Sequence, residues 1–427
     1  MSLLRRLAQL IPDLAPLRES RDFRILWWAG SIFYLGQMLS YVAVPWLVYQ
    51  LTESNLAVGL VGLAELVPMI FFGLYGGALA DHGDRRKILV VTGTLQLIFT
   101  AALAVNALLP EPSLVAIYVL SALLSAAGSA QRPAREALVP RTVTHQQLPA
   151  AMSLASLGTH IGLLLGPSVG GLLLVWKGSG WCFAIDAFGL LLATLLFSRL
   201  REYPHTSDTE PPSIGSISRG VRYALGRRDL LGTYVVDIAA MFFALPVALF
   251  PALAHEVLKQ PQVLGLLYTA EIVGSLIATA TSGWTARINH HGRVIVLAAA
   301  AYGGFVALAG VSHSLWLVLV CLGLSGAADM ISALFRQIIW NQTIPDTMRG
   351  RLAGLEMLSY SVGPYGGQVR AGVTADLWTV RGAMASGGLA CIVGVGITAV
   401  WLRDFWSYDT RTNEYAVAER SAREATA

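Results

Sequence analysis

The chain has 427 residues, 55% of them hydrophobic and only 13% charged, with a formal net charge of +4. A soluble globular chain carries about 25% charged residues, so this composition excludes a soluble fold, and no alternating segments of about ten residues point to a β-barrel. The cations lie in loops between apolar runs, which is the positive-inside pattern of a polytopic helical membrane protein rather than a nucleic-acid surface.

Residues 1–23 are expected to form a cytoplasmic N-terminal segment. Leu3, Leu7, Leu10, Leu14 and Leu17 recur at helical spacing and make it a candidate amphipathic helix on the inner membrane surface. Arg5, Arg6, Pro12 and Asp13 interrupt this first apolar patch, so no cleavable signal peptide is expected. Twelve apolar runs follow, at roughly 24–50, 57–80, 88–109, 113–137, 150–175, 181–199, 230–255, 262–286, 293–311, 315–341, 352–376 and 381–402. Each is long enough to cross a bilayer as a helix, since about 20 residues span the hydrocarbon core. Turns on one side hold only Lys177, Lys259 and Arg381, whereas the other side collects Arg85, Arg86, Lys87, Arg135, Arg141, Arg287, Arg293, Arg349 and Arg351. That asymmetry places both termini in the cytoplasm.

The polar stretch 200–229, with Pro204, Pro211 and Pro212 and then basic residues from Arg219 to Arg228, reads as a cytoplasmic linker. It separates a six-helix bundle over 24–199 from a second over 230–402, and residues 403–427 form a polar cytoplasmic tail expected to be disordered. The halves repeat at an offset of 206 residues, which superposes Pro45 on Pro251, Gly59 on Gly265, Glu65 on Glu271 and Gly77 on Gly283. Repeats of this kind build transporters with a substrate site near the midplane.

Between the second and third spans lies a dense polar knot, Gly77 to Lys87, with Asp81 closing one helix and Arg85, Arg86 and Lys87 opening the next. That charge order opposes the helix dipoles and suggests pairing with another part of the chain. In the fifth span, Gly162-x-x-x-Gly166-Pro167-x-x-Gly170-Gly171 gives a kinked helix with a flat face for close packing. Gly363-Pro364-x-Gly366-Gly367 is a degraded echo in the eleventh. Pro133-Ala134-Arg135-Glu136-Ala137-Leu138-Val139-Pro140 closes the fourth span.

These stretches resemble the major facilitator superfamily of secondary transporters. Gly77, Asp81, Arg85 and Arg86 match its gating loop, while His82 and Asp84 depart from the usual pattern. Gly162, Gly166, Pro167, Gly170 and Gly171 resemble the antiporter motif found in exporters, and the Pro133–Pro140 stretch resembles the siderophore (enterobactin) exporter and macrolide-efflux branch. The resemblance implies an all-α polytopic fold of twelve transmembrane helices in two pseudo-symmetric six-helix bundles. It implies a monomeric multi-pass protein of a bacterial inner or plasma membrane that exports a small amphipathic molecule, such as a siderophore, in exchange for protons. A multidrug pump of the macrolide or tetracycline type is the alternative, and an importer or a membrane-embedded enzyme fits less well. No Arg stands at mid-depth in the fourth span by sequence position, because Arg132 and Arg135 lie near its cytoplasmic end.

Ionisable residues inside spans are functional candidates, because a charge in the bilayer is costly. Glu65 lies about 12 Å deep at about 1.5 Å per residue, and Glu271 occupies the repeat position. Asp329 and Asp237 complete the candidates for proton coupling or substrate contact; Asp186 and His160 read as packing residues, and Arg370 as a side chain snorkelling outward. Cys182, Cys321 and Cys391 show no metal-ligand spacing, and no G-x-x-x-x-G-K loop is present. No cofactor, metal, nucleic acid or enzymatic centre is expected; the partners are a small-molecule substrate, protons and the lipid bilayer.

Overall fold

A computed structural model of the chain describes residues 13–203 and 222–426; the side chains of 74–82 and of most positions between 346 and 358 lie outside that description. Most of the expected amphipathic segment and most of the linker therefore fall outside the described residues. Those described are helical and contain no strand. After a helical turn at Ala15–Glu19 come α1 (Arg21–Thr52), α2 (Asn55–His82), α3 (Arg85–Leu108), α4 (Leu114–Leu138), α5 (Leu148–Lys177) and α6 (Ser179–Phe197). Beyond the linker come α7 (Arg228–Ala244), α8 (Leu264–Ala280), α9 (His291–Val311), α10 (Leu315–Thr343), α11 (Asp346–Leu377) and α12 (Val380–Trp401). Eleven of these, all but α11, are long and apolar enough to cross a membrane among the described residues. Helix α11 has the length, at 32 residues, but carries Gln368, Arg370 and Asp376.

Local chemistry sets the helix ends. Asp84 caps α3 by accepting from the Arg86 amide at 3.0 Å, Ser113 caps α4, and Thr379 caps α12. The α5–α6 junction is Gly178 at φ 84°, a left-handed conformation that only glycine adopts freely, and its amide reaches the Leu174 carbonyl at 2.9 Å. The seventh span departs from the expected single helix. Its α-helix stops at Ala244, and the chain continues through a 3-10 turn, a single α turn and a π turn, Leu253–Val257. Pro246 causes the break, since it has no N–H to continue the ladder. The eighth span ends as an α-helix at Ala280, six residues early, and passes into a 3-10 stretch at Ser282–Arg287.

Two compact units result, one drawn from the described part of Met1–Leu47 and Val67–Pro211, the other from Val48–Leu66 and Pro212–Ala427. The division cuts α2 beside Pro68, so the first turns of that helix belong with the second unit. In the first unit α3 packs on α4 and α6; in the second α9 packs in the same way on α10 and α12. The core of the first unit includes Phe23, Phe33, Leu89, Leu138, Leu154 and Phe197.

The tail does not behave as its polar composition suggested. It forms α13 (Arg403–Trp406) and α14 (Glu414–Thr426) and packs on the second unit. Phe405 is fully buried and occupies the space that a Cβ at Gly232 or Gly292 would need. Thr410 donates to the Asn289 carbonyl and, through Oγ1, to Gln342. The Arg227 guanidinium lies 3.4 Å from the centre of the Tyr415 ring while bonding Asp229 in a two-pronged pair at 2.9 and 2.6 Å. Phe405→Ala should therefore cost about 3–5 kcal/mol, the range for emptying a buried aromatic site. Thermal unfolding of the detergent-purified protein checks this, and an unshifted melting temperature would show the tail to be dispensable.

Candidate functional site

All four carboxylates singled out above lie in the second unit, three of them on α7, α8 and α10. Helices α8 and α10 cross almost backbone to backbone: no Cβ fits at Gly274, against the Gly323 carbonyl, or at Gly326, against Glu271. The Ser275 hydroxyl, 2.9 Å from the Gly326 carbonyl, ties the crossing together. Asp329 follows Gly326 by three residues, so it sits one helical turn from the contact and lies within electrostatic range of Glu271. The Glu271 Oε1 atom is buried and has no hydrogen-bond partner among the described residues.

Asp237 on α7 is bonded to Arg336 on α10 and accepts from the Ser359 hydroxyl on α11 at 2.9 Å. Both members of the ion pair are shielded, at 5% and 9% exposure. Arg336 also acts on Asp329, and the buried Tyr302 hydroxyl on α9 lies within electrostatic range of Glu271, Asp329 and Arg370. Arg370 does not snorkel outward. Its Nε donates to the Phe242 carbonyl at 3.1 Å, and its guanidinium fills the space left by Gly387. That carbonyl is the one Pro246 leaves without a helical partner four residues on, and inside a membrane such a group must be satisfied by protein. Arg336 and Arg370 were the functional neighbours that sequence reading missed. The signal for Arg336 was present: it follows Asp329 by seven residues, two turns along the same face.

Glu65 goes elsewhere, accepting a hydrogen bond from Tyr365 on α11. Farther along the same pair of helices, the Asp376 carboxylate caps the start of α2. It accepts from the Ser54 hydroxyl at 2.7 Å, the Asn55 amide at 2.8 Å, the Asn55 side chain at 3.1 Å and the Leu56 amide at 3.1 Å. An anion at a helix N-terminus suits both the free amides and the dipole. Tyr49 bonds Glu256, which lies in the π turn.

In the first unit, the side chains of Gly77 and Asp81 lie outside the described residues, so the expected Asp81 pairing has no structural counterpart to report. The arginines of the same loop are placed. Arg85 donates to the Ala137 carbonyl at 2.9 Å and Arg86 to the Ser198 carbonyl at 2.7 Å, so each meets the C-terminal end of a neighbouring helix, α4 and α6. The charge order that looked unfavourable within one loop is favourable across helices. On α5, Gly162, Gly166 and Gly170 line up against Tyr34, Met38 and Leu39 of α1, while Pro167 and Gly171 are buried in the same helix. A Cβ at Gly166 would overlap that of Met38. Gly363 and Gly367 repeat this contact between α11 and α7. Gly166→Val should force the helices apart at a cost of about 1–3 kcal/mol and abolish efflux. Gly30→Ala, where a Cβ meets nothing within 4 Å, is the control. Equal efflux from both variants at matched protein level would refute the packing role.

Arg135 reaches farther than its position in the sequence suggests. Its Nη2 donates to the Tyr34 hydroxyl at 2.7 Å, and its guanidinium lies 4.9 Å from the Phe33 ring centre and 4.5 Å from that of Tyr34. Tyr34 follows the start of α1 by thirteen residues, or about 20 Å along the axis at about 1.5 Å per residue.

Comparison with known proteins places these features. A family profile described as "Transmembrane secretion effector" matches residues 11–419. The enterobactin exporter EntS of Shigella boydii serotype 18 is 32% identical over 393 residues, covering 90% of this chain and 92% of that protein. EntS of Escherichia coli O1:K1 / APEC is 31% identical over the same shares. Among solved structures, a point mutant of a peptide transporter POT aligns with a TM-score of 0.73 at 13% identity, covering 94% of this chain and 98% of that one. The nucleoside transporter NupG aligns at 0.69 and 11% identity, covering 90% and 98%. At these identities the solved structures speak for the fold alone.

Proposed function

The chain belongs to the transmembrane secretion effector family of major facilitator efflux transporters, and from that premise we propose that it exports a siderophore-type small molecule in exchange for protons. It is a multi-pass membrane transporter of a small-molecule substrate, and its relatives and fold neighbours are transporters rather than enzymes. The observation carrying the substrate reading is the likeness to enterobactin exporters along nine-tenths of both chains. In this reading the protein is a monomer in a bacterial inner or plasma membrane with both termini in the cytoplasm. Its six-helix halves cover 24–199 and 230–402, joined by the 200–229 linker, and the Gly77–Arg86 loop gates the cytoplasmic side.

Proton exchange falls to the carboxylates of the second unit. The Asp237–Arg336 pair is internally neutral, whereas Asp329 and Glu271 stand near one another. Two carboxylates within electrostatic range of each other repel when both are charged, which makes the pair the leading candidate for carrying the exchanged proton. Glu65, bonded to Tyr365, is the second candidate. The richness in membrane carboxylates favours the rival reading, a multidrug pump for lipophilic cations. A deletion strain separates the two: loss of secreted siderophore with unchanged drug susceptibility is expected, and the reverse pattern would establish the drug pump.

A further inference from the structure

We propose that Arg135 is a substrate-binding residue, an anion site that takes a planar oxyanion pair, a carboxylate or catecholate on an aromatic ring, from the molecule being exported. The inference deepens the exporter reading above and rests on it.

Three observations lead there, all within the first unit. First, among the described residues Arg135 forms no salt bridge, and Glu136, its chain neighbour, lies within electrostatic range without bonding it. Among the described residues its bonds and ring contacts are those with Tyr34 and Phe33, and the adjacent carboxylate, Glu136, is bonded to Arg132 at 2.8 Å instead. A shielded guanidinium with no bonded anion is unfavourable in a membrane protein, where charges inside spans are paired or functional. Second, its Nη1 is buried and has no acceptor among the described residues. Third, the guanidinium is held for use. The Phe33 and Tyr34 rings stand edge to face, 5.7 Å apart at 82°, and both contact it.

A guanidinium presents parallel N–H groups in a plane, which fit two oxygens on one planar group. In this structure the Tyr34 hydroxyl, 2.7 Å from Nη2, stands where one of those oxygens would sit. A ligand carboxylate or catecholate displaces that hydroxyl and also engages Nη1, so the guanidinium gains a bonded counter-ion when substrate arrives. Under the proposed topology Arg135, three residues before the end of α4, lies towards the cytoplasmic side, where an exported molecule is collected. The arrangement also bears on the rival substrates: a guanidinium that forms no salt bridge among the described residues disfavours lipophilic cations and favours anions.

The test is binding to the purified full-length protein, read by tryptophan fluorescence, with 2,3-dihydroxybenzoate, benzoate and tetraphenylphosphonium as probes. Wild type should bind the arene anions; Arg135→Gln should weaken them about tenfold or more, the size of a lost charge-assisted contact. Arg135→Lys, which keeps the charge without the fork, should fall between. Tyr34→Phe, which removes the competing hydroxyl, should bind more tightly. A purely structural role would make Arg135→Gln melt lower, whereas removing a charge that forms no salt bridge leaves the melting temperature unchanged or higher. Benzoate as tight as dihydroxybenzoate assigns the carboxylate, and weaker benzoate assigns the vicinal oxygens; both support the inference. Equal anion binding by wild type and Arg135→Gln overturns the Arg135 site while the exporter reading stands. Binding of tetraphenylphosphonium with none of the anions overturns the substrate reading itself.

Discussion

Glu271→Gln and Asp329→Asn are expected to end uphill efflux in proteoliposomes while leaving exchange of substrate across the membrane intact. The neutral side chains imitate the permanently protonated forms, so each variant can cycle with substrate but cannot release a proton on the far side. The size of the effect follows from the driving force. One pH unit is worth about 1.4 kcal/mol per proton and sustains roughly a tenfold substrate gradient in a one-for-one exchange. Loss of coupling should bring that gradient to unity rather than merely slow its build-up. Because Asp329 lies within electrostatic range of Glu271, the double variant should be no worse than either single one. Glu65→Gln, assayed alongside, separates the candidate bonded to Tyr365 from this pair. If all three singles and the Glu271/Asp329 double sustain the gradient, the coupling group lies elsewhere, and Asp237 is tested next.

The features that sequence exposed and those it hid differ in physical range. Apolar runs of about 20 residues set the helices, because a bilayer leaves backbone groups no partner outside the helix itself. Pro246 lies inside the run 230–255 that reads as one span, and neither the break it causes nor its consequence for Arg370 is marked by the apolar pattern. The arginine satisfies a carbonyl more than a hundred positions away, and nothing local distinguishes that from snorkelling. The tail was misjudged for a related reason. Its composition is polar, and its order comes from a few apolar anchors, Phe405, Tyr408 and Ala416, meeting the second unit. Arg336 stands two turns beyond Asp329 on the same helix, a longer spacing than the one-turn pairs that mark an ion pair along a helix. Arg135 was set aside for its place near the end of a span, where side-chain length and the partner on α1 were both unseen. In each case the missing information was which helix lies alongside.

Arg336→Ala should be the most destructive single change in the second unit. It strands Asp237, which is 5% exposed and keeps the Ser359 hydroxyl as its hydrogen-bond donor. Removing one member of a buried ion pair costs about 3–5 kcal/mol, because the remaining charge cannot return to water. That is a large part of the roughly 5–15 kcal/mol that holds a typical fold together, so little folded protein should survive detergent extraction and size-exclusion chromatography. Replacing both partners with apolar residues of similar bulk is often neutral, so Asp237→Leu combined with Arg336→Met should restore a monodisperse protein. The rescued variant then separates structure from coupling. Arg336 also lies within electrostatic range of Asp329, so the double variant removes the cation beside the candidate coupling carboxylates. Uphill efflux should stay absent in the folded double variant. Full efflux there would make Asp237 and Arg336 a structural brace alone, and a well-folded Arg336→Ala protein would refute the pair's contribution to stability.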